Sequence, residues 1–176
     1  MHDHSSTMMD HSHHIEPEST PKEYAKFIGV ILGIIIISYF AASNWGGLSV
    51  SNFLRIFMGV FFLVFGLFKL LDLKGFTESY IGYDIIAQKS IIYAYIYPFI
   101  ELALAFGYFL RIPNTEWAAL IVMAIGSIGV FKELMRGSKI KCACLGTYIK
   151  LPLTTVSLIE DVAMGIMALL MILKVF

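Results

Sequence analysis

FIGVILGIIIISYFAAS, residues 27–43, contains no charged side chain. A helix needs about 20 mostly apolar residues to cross the hydrocarbon of a bilayer. With its neighbours this run extends over residues 24–43 and meets that length. Four runs of the same kind follow. They are FLRIFMGVFFLVFGLFKLL at 53–71, IIYAYIYPFIELALAFGYFL at 91–110, TEWAALIVMAIGSIGVFKELM at 115–135 and TTVSLIEDVAMGIMALLMILK at 154–174. A soluble core does not require five such runs in 176 residues. The expected fold class is all-α, a polytopic transmembrane bundle of five spans in a lipid bilayer.

Composition agrees. The chain is 58% hydrophobic and 15% charged, with a mean hydropathy of +0.77. Soluble domains are about half apolar and about a quarter charged. The formal net charge is zero, so nothing in the overall charge points to nucleic acid and no such partner is expected. A polar N-terminus ahead of a long apolar run does not read as a cleavable secretory signal. No nucleotide, flavin or haem motif and no useful internal repeat is visible.

Residues 1–23 are polar and hold His2, His4, Met8, Met9, His11, His13 and His14. Such a stretch buries too little apolar surface to fold alone and reads as a mobile tail. The connections between runs are short, with Asn44-Trp45-Gly46-Gly47 and Arg111-Ile112-Pro113-Asn114 as turn signals. Residues 72–90 are longer. Phe76, Tyr80, Tyr83 and Ala87 fall there at helical spacing, which fits either a short helix on the membrane surface or a surface loop.

Lys and Arg accumulate on the cytoplasmic side of membrane helices. One side would carry Lys22, Lys26, Lys69, Lys74, Lys89, Lys132, Arg136, Lys139, Lys141 and Lys150, and the other only Arg55, Arg111 and Lys174. Ten against three places the tail and the loop before the fifth span in the cytoplasm, the membrane being a bacterial inner membrane. With five spans the tail and that loop share one side whatever the orientation.

That loop contains KIKCACLGTYIKLP, residues 139–152, with the only two cysteines, Cys142 and Cys144. Thiolate is both nucleophile and metal ligand, and nearby cations favour it. Lys139, Lys141 and Lys150 flank the pair. A Cys-x-Cys disulfide closes a small strained ring, and strained, exposed disulfides are the labile kind. The same sulfurs suit Cu(I), and the imidazoles and thioethers of the tail suit copper as well. Zinc would need two more ligands from elsewhere. An inert pair at a helix end is the third reading.

Glu101 lies in the middle of the run at 91–110, and Glu160 and Asp161 lie in the first half of the run at 154–174. Ionisable groups in a bilayer are costly and are functional candidates. Tyr93, Tyr97 and Glu101 are spaced by four and share a face. Thr154, Ser157, Asp161, Met164 and Met171 form a stripe leading from the Cys loop, fit for a proton or metal path or for plain packing. Glu160 and Asp161 also fit a structural role, paired with Lys69 or Arg136. Pro98 precedes Glu101 and removes a backbone hydrogen bond there.

LKGF followed by Y-x-G-Y-D, YPFIELAL, and K-I-x-C-A-C-L-G-T with L-P-L-T-T-V-S-L-x-E-D downstream together resemble the MauE/DoxX group of membrane proteins, over residues 52–174. The resemblance implies a four-helix redox-associated domain at 52–176, to which residues 24–43 add an extra N-terminal span. It implies a link to maturation of methylamine dehydrogenase, whose small subunit carries disulfides, and it makes Cys142 and Cys144 the redox pair. The tail and the extra span depart from the family pattern and point toward metal. Disulfide work on a periplasmic enzyme would put the pair outside, against the charge count. The expected function is thiol–disulfide exchange through Cys142 and Cys144 with a partner protein or quinone. The alternative is copper or other soft-metal binding or transport by the tail and the Cys pair.

Overall fold

The structure is a computed structural model that describes residues 21–136 and 153–175, with side chains described for 24–136 and 158–175. The described chain is all-helical: α1 Pro21–Asn44, α2 Val50–Leu71, α3 Leu73–Tyr80, α4 Ile91–Phe109, α5 Thr115–Met135 and α6 Leu153–Ile172. Among the described residues four helices are long and apolar enough to cross a membrane: Tyr24–Asn44, Val50–Leu71, Ile91–Phe109 and Thr115–Met135. The expected runs at 24–43, 53–71, 91–110 and 115–135 thus fall on helices with similar limits. The tail residues His2, His4, Met8, Met9, His11, His13 and His14 lie outside the described residues. So do Cys142 and Cys144.

Local chemistry explains the helix ends. Gly46 and Gly47 turn the chain after α1 with φ of 88° and 84°, a region that costs glycine nothing. Ser49 then caps α2, its hydroxyl accepting from the Asn52 N–H at 3.2 Å. Asp72 separates α2 from α3 and accepts from the Gly75 N–H at 3.0 Å. Pro98 lies inside α4, which nevertheless runs unbroken from Ile91 to Phe109.

Helix α2 is the hub. It packs on α1, α3, α4 and α6, most extensively on α4, while α5 packs chiefly on α6. Helix α1 touches α2 alone, through a stripe of Ile34, Ser38 and Ala42 that is buried at every fourth position. On its other side Leu32, Ile36 and Phe40 are 52%, 55% and 63% exposed. Water would penalise that much uncovered apolar surface, and lipid does not.

The segment 72–90 resolves the choice left open by its sequence. Phe76, Tyr80, Tyr83 and Ala87 are all buried, so they face the bundle and not the membrane surface. The helix stops after Tyr80. The Asp84 carboxylate then accepts from the Ile86 and Ala87 N–H groups at 2.9 and 2.7 Å, holding a turn that continues to α4. This turn lies against α5 at Gly129, where an added Cβ would meet the Tyr83 carbonyl oxygen at 2.8 Å and the Asp84 Cα at 3.2 Å.

Gly129→Ala tests that contact. Alanine favours helix by about 1 kcal/mol, but the clash is with backbone and overpacking costs about 1–3 kcal/mol. Thermal unfolding of the purified protein should show G129A melting below the parent. Gly33→Ala, with nothing within 4 Å of the new methyl, should melt at or above it.

Candidate functional site

The last turn of α2 carries Lys69 inside an apolar run, and the middle of α4 carries Glu101. Their side chains are 8% and 4% exposed. The Lys69 ammonium donates to Glu101 Oε1 in a direct ion pair between the two helices. Its Nζ also lies 4.9 Å from the Tyr97 ring centre and 5.5 Å from that of Phe76, so two aromatic faces help replace the lost water. Glu101 Oε2 has no partner among the described residues.

Aromatic rings surround the pair. Tyr80 stacks on Phe76 at 4.9 Å and lies 4.6 Å from Tyr97, and Tyr83 meets Tyr80 edge-on at 5.3 Å. Tyr93 joins at the edge, 6.0 Å from Tyr97. The expected face of Tyr93, Tyr97 and Glu101 is therefore real, and it points into the bundle.

More carboxylates converge here. Asp84 is fully buried. One of its oxygens holds the turn described above, and Oδ2 has no partner among the described residues. Asp161 of α6 faces α5 at Gly126, where an added Cβ would sit 3.0 Å from its Oδ2. Glu160 Oε1 is buried and unpartnered among the described residues. Burial holds the Tyr83 phenol well above its ordinary range, and the fields of Asp161, Asp84, Glu101 and Glu160 add to it in that order. Tyr83 therefore stays protonated and can act only as a neutral hydroxyl. The expected pairing of Glu160 and Asp161 with Lys69 or Arg136 does not form: Lys69 binds Glu101, and Arg136 binds Glu133 at 2.7 Å. Of the α6 stripe, Met164 is buried and Met171 half-buried, while the side chains of Thr154 and Ser157 lie outside the described residues.

Among the described residues no three His, Cys, Asp or Glu side chains come together as a metal site. The buried groups gathered here are carboxylates, one ammonium and a tyrosine hydroxyl. The sequence points to Glu101, Glu160 and Asp161 and offers Lys69 as a partner for the last two; it does not give Glu101 as the acid that Lys69 binds, nor Asp84 as a further buried acid. A lone lysine among apolar residues in FGLFKLL was the available signal for a buried cation.

The cluster occupies the end of the bundle where α5 finishes and α6 begins. The segment joining those helices, residues 137–152, carries Cys142 and Cys144. That segment lies outside the described residues.

Fold and site define a multi-pass helical membrane protein with a polar cluster buried at one end of its bundle. A family model described as Methylamine utilisation protein MauE matches residues 47–174, and the chain belongs to that family. The match takes in α2 to α6 and both cysteines, and α1 lies ahead of it. No curated protein and no solved structure gives a significant match.

Removing one partner of a buried ion pair leaves an uncompensated charge and costs about 3–5 kcal/mol, whereas replacing both with apolar groups is often neutral or better. Lys69→Met should therefore lower the unfolding temperature of the purified protein sharply. The double variant K69M/E101M should recover most of the loss.

Proposed function

We propose that the chain is a thiol–disulfide exchange protein of the bacterial inner membrane, acting through Cys142 and Cys144 in the maturation of a disulfide-bearing partner such as methylamine dehydrogenase. One observation carries this reading. The only two cysteines lie within the residues matched to the MauE family. In this reading α6 is a fifth span, residues 52–176 form the family domain, residues 24–43 are an added span and residues 1–23 a tail. The charge count favours a cytoplasmic Cys loop, a setting that suits reduction.

The chemistry balances as follows. One thiolate of the pair attacks a partner disulfide, forming a mixed disulfide and releasing a partner thiolate. The second thiolate attacks the mixed disulfide, releasing the other partner sulfur and closing the Cys142–Cys144 bond. Two electrons pass to the partner, and a quinol or a second protein in its dithiol form returns two electrons and two protons to the pair, leaving as quinone or disulfide. Each step changes the thiol protons, and Glu160, Asp161 and Glu101 are groups that can hold them.

A single-cysteine variant stops after the first attack. Cys142→Ser or Cys144→Ser should accumulate a mixed disulfide, seen as a reducible higher-mass band in non-reducing gels of whole cells. The double variant should show none, and a membrane-impermeant maleimide should block the band only in permeabilised cells. Equal bands in single and double variants would sink the reading.

The second reading is soft-metal binding, supported by the five histidines of the chain, all in the tail with Met8 and Met9. It expects Cu(I) to co-purify with the full chain and to be lost on deleting residues 2–14, as measured by elemental analysis.

A further inference from the structure

The end of the bundle opposite the carboxylate cluster is built differently. It collects Arg55 near the start of α2, Arg111 between α4 and α5, and Lys174 just beyond α6. These are the three cations that the charge count separated from the other ten, and they are not scattered. Arg55 and Lys174 line one cavity of about 430 Å³. Arg55 and Arg111 line a second of about 440 Å³ and a small one of about 130 Å³. Arg55 thus borders all three.

Protein groups leave this charge only partly answered. Glu116, which lines two of the three cavities, is the one acid among their lining residues, and it stands 3.9 Å from Arg55, at the outer edge of an ion pair. Arg111 reaches the neutral Asn52 side chain at 3.3 Å, above Gly46, whose missing side chain leaves room for the guanidinium. Two further donors are without a partner. Arg55 Nε and the Tyr108 hydroxyl are buried and accept or donate no hydrogen bond among the described residues. Tyr108 is 2% exposed as a residue and lines both cavities shared by Arg55 and Arg111. Buried polar groups are almost always hydrogen-bonded, so these donors point to an acceptor beyond the described residues.

The surroundings say which acceptor. Guanidinium groups match phosphate oxygens in charge and in fork geometry. Trp45, Ile112 and Trp117 line these cavities and stand exposed, and tryptophan favours the headgroup level of a membrane. We propose that this end of the bundle binds the phosphate of an anionic phospholipid headgroup, held by Arg55, Arg111 and Lys174 with the Tyr108 hydroxyl as an additional donor. The acyl chains would lie along the apolar helix faces beside it. The site is independent of the cysteines and stands whether or not they exchange disulfides.

The test uses the full chain, purified in detergent and offered palmitoyl-oleoyl phosphatidylglycerol or palmitoyl-oleoyl phosphatidylcholine, with bound lipid counted by native mass spectrometry. Phosphatidylglycerol should be retained in preference to phosphatidylcholine. Arg111 and Lys174 are exposed, so Arg111→Gln and Lys174→Gln should fold normally, which thermal unfolding checks. Each should lower phosphatidylglycerol retention about tenfold, the size expected for losing a charged hydrogen bond. Tyr108→Phe should lower it less. Equal retention of the two lipids, or unchanged retention in both charge variants, would overturn the proposal. Displacement of phosphatidylglycerol by millimolar inorganic phosphate, with phosphate giving the same thermal shift alone, would make free phosphate the ligand and overturn the lipid assignment.

Discussion

Lys69 of α2 and Glu101 of α4 place opposite charges between two extensively packed helices on an apolar background. Taking either ion out of water costs several kcal/mol, and only a well-made pair offsets it. The pair therefore fixes the two helices in rotation and in height, because no sliding or turning keeps both charges satisfied. Much else is arranged around this constraint. Phe76 and Tyr97 cover the ammonium, and α3 exists to bring Phe76 and Tyr80 over it. The Asp84 turn closes the assembly against α5 through the bare backbone at Gly129.

The ion pair also sets the electrostatic character of the site. The single Lys69 ammonium binds Glu101 directly and extends its field to Glu160 and Asp161.

The bundle is polarised along its length. One end gathers acids around Lys69, and the other gathers Arg55, Arg111 and Lys174 around open cavities. Such an arrangement separates a dry, internal site from one that faces the headgroups. Helix α1 stands apart from both, touching only α2 through Ile34, Ser38 and Ala42. Its position ahead of the residues matched to the MauE family agrees with that marginal packing.

Helix positions were legible in the sequence because an apolar run of bilayer length is a local property, and a helix satisfies its own backbone without help from neighbours. The acids Glu101, Glu160 and Asp161 were legible for a similar reason: each stands out against apolar neighbours. What Lys69 binds was not legible, because its partner is 32 residues away on another helix and three acids competed for it. The burial of Phe76, Tyr80 and Tyr83 was not legible either, since helical spacing fits a membrane surface as well as a core. Packing against α4 and α5 decided it, through a turn that closes only where Gly129 has no side chain. Pattern along the chain thus determined which segments enter the membrane, and contact between distant segments decided which side chains meet there.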